Sequence, residues 1–524
     1  MILKRLGEQA WLVELGAEAV PGRAAAMAVA LAKDRPPGVL DVVPSFDSLG
    51  VHFSGENAAE IAEWIGRAVV THEAVAGALH EIPVVYGGEF GPDLGAVAQA
   101  VGMSADEVIA LHSGADYRVA AVGFSPGFPY LTGLPVALSV PRKSTPGLAV
   151  AAGSVAVAAG QAGIYPFASP GGWQVLGRTD ARLFDVTRAR PAIMQPGDRV
   201  RFVAVDHLEP NGTDDLPKSH PLGERWMEVI EPGGQTTVQD GGRPGYEDSG
   251  VSPGGAVDWH ALRVANLLVG NAADAAVLEC CVCGPVIRFH GATTVAWVGG
   301  AGRSWTVEDG ETVDFSKLPD GVRACLAVAG GISVPKVLGS AATDVRAGFG
   351  GYQGRALRTG DRLALGEAGS APRCGNWHVG RPDARSLELR FLAGVQQDGF
   401  SAEARRRFRE SVYQVTALSD RMGARLSGIS LDFDGQGSMR SQPVVCGSVQ
   451  VPPDGQPIVL LAERQTMGGY PQIGHVIATD LPLLARAWPG TPLRFREVTL
   501  DEARAARAAE DRAFQRLRVG LDLL

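Results

Sequence analysis

Gln239-Asp-Gly-Gly-Arg-Pro-Gly-Tyr246 sets an amide, a carboxylate and a guanidinium on one tight loop. Its glycines let a ligand approach backbone N–H groups, and Arg243 can grip a carboxylate or phosphate through two parallel hydrogen bonds. The same Asp240–Arg243 pair also suits a plainer task, bracing the turn. A second loop, Gly250–Asp258, runs into a helix predicted over Trp259–Leu268, so Asp258 reads either as a site carboxylate or as that helix's N-cap. Gln465-Thr-Met-Gly-Gly-Tyr470 brings together Gln465, Thr466, Gly468, Gly469 and Tyr470, a mixture that favours ligand contact over a structural turn. Arg142-Lys-Ser-Thr-Pro-Gly147 and the segment from Gln161 to Tyr165 form a similar polar set earlier in the chain, continued by Ser169-Pro-Gly-Gly-Trp173. Two loop sets, one from each half, predict a shared cleft of Gln, Arg, Asp and backbone amides suited to a small, planar, amide-like ligand.

Other chemistries lack their residues. There is no Gly-x-x-x-x-Gly-Lys-Ser/Thr loop to cradle ATP phosphates and no His-Glu-x-x-His for zinc. Gly123-Phe-Ser-Pro-Gly127 and Gly250-Val-Ser-Pro-Gly254 match a nucleophile elbow by spacing, but the Pro after each Ser has no N–H to offer an oxyanion. Cys280, Cys281 and Cys283 read as small apolar residues of a buried strand, because no second Cys pair or His follows at zinc-like spacing; no metal is expected.

Composition narrows the classes further. A net charge of −9 lacks the basic footprint that nucleic acid or an anionic membrane requires. No apolar run reaches about 18 residues, so no spanning helix is expected. The N-terminus carries Lys4, Arg5, Glu8 and Glu14 and does not read as a signal peptide. Six cysteines in 524 residues do not make a disulfide framework, and a reducing cytoplasm is the simplest compartment.

The elements that must hold these loops are mostly strands. The chain has 68 Gly and 34 Pro, which implies many turns and therefore many short strands. Residues 1–80 read as a small α+β unit, with helices over Ala17–Lys33 and Glu56–Val70 and a hairpin over Leu40–Phe53. Residues 81–205 read as β-rich with one helical insert, opened by a Ser104–Glu107 capping box. Residues 206–226 are polar and rich in Pro, Gly and Asp, a linker between two halves. Residues 227–384 and 385–524 follow as two more units, the last ending in a helix over Thr499–Leu517.

Internal repetition ties these units together. Pro196-Gly-Asp-Arg-Val-Arg-Phe202, Thr359-Gly-Asp-Arg-Leu-Ala-Leu365 and Pro489-Gly-Thr-Pro-Leu-Arg-Phe495 are each a turn followed by an alternating strand. They read as the closing strands of three related β domains. Glu228-Val-Ile resembles Glu388-Leu-Arg at the openings. Gly123–Gly127 echoes Gly250–Gly254, and Gln161–Pro166 echoes Gln465–Pro471. The prediction is mainly β with α+β: a small N-terminal α+β domain followed by three β-barrel domains.

On these residues the first half resembles the allophanate hydrolase subunit 1 family, also known as the sporulation-kinase inhibitor family or the B-type subunit of 5-oxoprolinase. The carriers are Gly123-Phe-Ser-Pro-Gly-Phe-Pro-Tyr-Leu131, Pro141-Arg, Thr145-Pro-Gly147, Gly153-Ser-Val155, and the motif from Gln161 to Trp173. The second half resembles allophanate hydrolase subunit 2, or the C-type subunit of 5-oxoprolinase. There the carriers are Val238–Tyr246, Gly250–Asp258, Ala265–Asn271, Leu278-Glu279, Ser419–Leu426 and Gln465–Pro471. Joined, the modules are similar to the carboxyltransferase region of urea carboxylase.

The resemblance implies cyclophilin-like barrels and a fused B–C component of an ATP-dependent 5-oxoprolinase, which opens the lactam of 5-oxoproline to glutamate with a separate A-type subunit. It implies ATP use by the complex, with contact to this chain left open, and no covalent biotin here. Arg243 or Arg142 would then bind the substrate carboxylate, with Gln161 and Tyr165 in the same cleft. Gln239 and Gln465 would hold the lactam amide or its developing oxyanion, and Asp240 or Asp258 would orient water. Two alternatives are a carboxyltransferase acting on urea or a related amide, and a regulator that binds a histidine kinase. A homo-oligomer is compatible with each.

Overall fold

The fold is that of a computed structural model, described for all residues except 17–21, 56, 69–76, 146, 209–220, 369–373, 379–385, 436–438 and 523–524. Most of the expected linker, and the start of the first expected helix, lie outside the described residues.

The N-terminal unit is a four-stranded antiparallel sheet. The strands Ala10–Glu14, Val39–Pro44 and Ser48–Phe53 alternate apolar residues toward the helices Arg23–Ala32 and Ala58–Arg67. Val13, Val51, Ile61 and Ile65 are wholly buried where the layers meet.

The next unit is a closed seven-stranded barrel from Leu79–Tyr86 to Arg199–Ala204. Val155, Val157, Leu176 and Val200 fill it, and the helix Ala105–Ser113 starts at the predicted Ser104–Glu107 capping box. The last unit, from Leu387–Ala393 to Pro492–Glu497, is a second closed seven-stranded barrel. It is followed by the helix Leu500–Asp522, where Thr499 and Glu502 form the expected capping box.

The two barrels share one topology. In each, the closing strand runs parallel beside the opening strand. Each carries a short two-stranded ribbon outside the barrel: Gly147–Val150 with Ser169–Gly171 in the first, Gln442–Pro443 with Met467–Gly468 in the second. Even a bulge is repeated. The pair Ala156–Val175 stands directly before a register shift in the first barrel wall, and Gln450–Gln472 stands directly before the corresponding shift in the second.

The middle unit departs from the expected third barrel. Its strands form two sheets, of five and six strands, around one core of Met227, Val229, Leu278, Phe289 and Leu326. The turn-and-strand repeat is present at Arg362–Leu365, but it pairs antiparallel with Trp226–Glu231, so the ring is not closed as in its neighbours. The local motif encodes a strand and its turn; the direction of the partner strand is decided by the connections between them. Cys280 is buried in this core, while Cys281 and Cys283 are part-exposed.

Candidate functional site

The loops singled out from sequence converge on a seam between the two halves. The similar segments Gly123–Gly127 and Gly250–Gly254 occupy different places in their units, yet they meet face to face. The Gly127 N–H donates to Ser249 O at 2.9 Å, and a Cβ on Gly250, whose φ is +77°, would stand 2.5 Å from Ser125 O. Phe124, between them, holds a φ of 68°, a strained value for a non-glycine residue. Met467 crosses from the second ribbon into an aromatic cluster of Phe128, Tyr130, Tyr165 and Trp173 on the first barrel. A Cβ on Gly123 would lie 2.8 Å from Met467, so that glycine is what admits it.

Buried charge locks the seam. Arg464 Nη2 pairs with Glu247 Oε2 at 2.7 Å, and Asp41 Oδ2 accepts the backbone N–H of Glu247 at 2.6 Å. His52 stands 3.4 Å from the other Glu247 oxygen; burial lowers its pKa against the pull of Glu247. A second buried cluster lies wholly within the second half, where Arg421 donates to Glu279, to Glu463 Oε1 at 2.6 Å and to Gly255 O at 2.6 Å. Burial works against the Arg421 charge, but the two carboxylates outweigh it and raise its pKa. Asp41, His52, Glu247 and Arg464 were not site candidates from sequence. Glu279 and Arg421 lay within resemblance motifs, which was the one signal available for them.

The predicted site residues separate into three groups. Asp240 accepts Gly242 N–H, Ser340 Oγ–H and Ala341 N–H at 2.6–2.8 Å, so its carboxylate ties two loops together. Asp258 caps its helix through Ala261 N–H at 2.9 Å and faces Arg486 at 3.4 Å. Arg243 is buried, donates to Ala342 O and lies 5.0 Å over the Phe349 ring. Its pKa is lowered by burial against the pull of Asp344 and Asp240. Gln239 is buried and donates to Thr237 and to Thr343 O. In all four, the bracing role accounts for the contacts.

The second group lies at the seam. Tyr165 is buried in the aromatic cluster, and burial followed by the nearby Tyr130 raises its hydroxyl to about 12. Arg142 is exposed, and its charge acts on both Tyr130 and Tyr165. Thr466 and Gly468 are buried, Gln465 and Gly469 part-buried and Tyr470 exposed. Their Gln465–Tyr470 segment brackets the second ribbon, whereas Gln161–Ile164 is a barrel strand, so that echo does not mark equivalent places.

Gln161 forms the third group. It lines a cavity of about 260 Å³ with Ser45, Phe46, Arg118 and Arg440, between the N-terminal unit and the first barrel.

Comparison with known proteins accounts for this two-part layout. A carboxyltransferase domain model, subdomain C and D, matches residues 1–194, and its subdomain A and B counterpart matches residues 249–497. The C-type 5-oxoprolinase subunit of Escherichia coli (strain K12) is 37% identical over 56% of this chain and 97% of its own length. The B-type 5-oxoprolinase subunit of Bacillus subtilis (strain 168) is 36% identical over 40% of this chain and 94% of its own. The chain is a fused member of the B-type and C-type 5-oxoprolinase families.

The solved structure of TTHA0988 has the same two-part extent: 36% identity, TM-score 0.82, covering 93% of this chain and 99% of that one. The urea amidolyase of K. lactis is similar over part of the chain, at 26% identity and TM-score 0.52, covering 56% of this chain and 20% of that one. Asp41 and His52 fall in the part matched by subdomain C and D, Arg421 and Arg464 in the part matched by A and B, and Glu247 stands just before the latter. The charge network around Glu247 is therefore one of the contacts between the two halves, beside the Gly127–Ser249 bond and Met467.

Proposed function

We propose that this chain is the fused B–C component of an ATP-dependent 5-oxoprolinase, opening the lactam of 5-oxoproline to glutamate with a separate A-type subunit. The observation that carries this reading is that one chain covers nearly the full length of both a B-type and a C-type relative. The seam adds support: Met467 of the C half completes an aromatic cluster of the B half, so the halves form one surface.

A lactam carbon is a poor electrophile. Phosphoryl transfer from ATP to its oxygen turns that oxygen into a leaving group. Water then adds to the carbon, the ring C–N bond breaks as the nitrogen takes a proton, and the acyl phosphate so formed is hydrolysed by a second water to glutamate and phosphate. The task of this chain is to hold the ring. Arg142, exposed beside Tyr130 and Tyr165, is the better partner for the carboxylate, because the Arg243 guanidinium is buried. Six free thiols suit a reducing cytoplasm.

The test is to mix the purified chain with its A-type subunit and follow ADP and glutamate. Both are expected in step with 5-oxoproline, and only with both proteins present. No coupled turnover, with an A-type subunit proven active alongside another B–C pair, removes the reading. The carboxyltransferase description of the matching family models favours a second reading, transfer of a carboxyl group to a urea-type amide. That reading requires turnover to depend on a biotin carrier.

A further inference from the structure

Three glutamines converge in one layer of the second barrel. Gln450 follows Val449, whose side chain belongs to the barrel core, so strand alternation turns Gln450 to the outer wall. Gln472 is its direct partner across the wall. The ribbon covers both. Gln442 stands opposite Gly468 on that ribbon, and a Cβ on Gly468 would collide with the Gln450 amide. Thr466 lies two residues before Gly468 on the same segment. Gln442, Gln450, Gln472 and Thr466 are each at most 8% exposed.

Their polar atoms lack partners among the described residues. Gln442 Nε2, Gln450 Nε2, both amide atoms of Gln472 and Thr466 Oγ1 are buried without a hydrogen bond. Leaving such groups unsatisfied costs about 1–3 kcal/mol each, so a fold does not collect them in one layer without a partner to supply.

The first barrel shows that the fold itself does not require them. At the position of Gln450 and Gln472, directly before the same bulge, it has Ala156 and Val175. Over these lie Tyr165 and Trp173, and the first ribbon's Gly171 faces the Tyr165 ring as Gly468 faces Gln450. The same layer is thus aromatic in one half and amide-lined in the other.

We propose that the layer beneath the second ribbon is a binding site for a small neutral planar amide: a lactam, carboxamide or ureide. Three amide N–H donors match the two lone pairs of a carbonyl oxygen, with one to spare. Gln472 Oε1 accepts the ligand N–H. None of these side chains is charged, so this subsite reads the amide. Naming a lactam rests on the proposed 5-oxoprolinase role; the site itself rests on the unpaired amides.

The experiment is direct binding to the full chain, followed by saturation-transfer NMR, with 2-pyrrolidinone as the amide probe and cyclopentanone as the control that lacks the N–H. Gln450→Met and Gln472→Met are expected to weaken 2-pyrrolidinone binding about tenfold or more each, the size of one lost buried hydrogen bond. Their unfolding midpoints should be unchanged or higher, because an apolar side chain removes the unpaired groups. Unchanged probe binding in both variants, or equal binding of cyclopentanone, overturns the proposal. Turnover with the A-type subunit separates the two ideas. Probe binding without turnover leaves the site standing and removes the 5-oxoprolinase reading. Turnover that both substitutions leave untouched retains that reading and removes the site.

Discussion

Asp41 Oδ2, on the N-terminal sheet, accepts the backbone N–H of Glu247 at 2.6 Å and that of Asp248 at 3.2 Å, joining residues about two hundred positions apart in the chain. Burial first, then the nearby Asp248 and Glu247, raises the Asp41 carboxyl from 3.8 to about 8. A carboxyl raised on folding holds its proton more tightly folded than unfolded. Its contribution to stability is therefore complete below about pH 4 and is lost as pH rises through about 8. Between these limits Asp41 pulls the unfolding midpoint down as pH rises, against the buried His112 and His475, whose lowered pKa values act the other way, and Asp41→Asn should leave a slope more positive than the parent's. An identical slope in both proteins would contradict the assignment.

Arg421 is the only cation that donates to both Glu279 and Glu463 among the hydrogen bonds of the described residues. Arg421→Ala leaves Glu463 without its hydrogen-bonded cation and Glu279 with only Arg323, 4.0 Å away, and is expected to destabilise the chain by about 3–5 kcal/mol in denaturant unfolding. Adding Glu279→Gln and Glu463→Gln should restore a large part of that loss. A triple variant no more stable than Arg421→Ala would show that lost packing, and not unpaired charge, causes the effect.

Gly250→Ala tests the meeting of the two look-alike loops. The new Cβ combines a left-handed backbone with a 2.5 Å approach to Ser125 O. The expected loss is about 1–3 kcal/mol. Gly490→Ala is the comparison, since φ there is +87° but no atom lies within 4 Å of the added carbon. Gly250→Ala should be clearly the worse of the two; equal losses would assign the effect to backbone strain alone.

Arg142 and Arg243 should separate in kinetics. Arg142→Ala is expected to raise KM for 5-oxoproline about tenfold with little change in unfolding midpoint, as for one charge-assisted hydrogen bond. Arg243→Met should lower the midpoint and leave KM near its original value, because its buried guanidinium donates to Ala342 O and packs on the Phe349 ring. The reverse pattern would return Arg243 to the site.

Strand endings were legible because each is written locally, in a Gly turn and an alternating run, and all three repeats are strands. Whether a strand closes a ring depends on partners far along the chain, which is why the middle unit was expected to match its neighbours. The loops at the seam were found by composition. Asp240, Asp258 and Arg243 read equally as site chemistry or as bracing, because buried turns employ the same residue types, and only their contacts favour bracing. Gln442, Gln450 and Gln472 carry no motif, and only the placement of the ribbon over the wall brings them together.

One polypeptide joins Ala204, the end of the first barrel, to Trp226, where the C half opens. The B-type and C-type relatives are named as subunits. Here their stoichiometry is fixed at one to one, and each half sees the other at an effective concentration in the millimolar range, whatever the dilution. A weakened Glu247–Arg464 contact would disperse two free proteins. In this chain it can only loosen a partner that stays tethered, so damage at the seam should register independently of protein concentration.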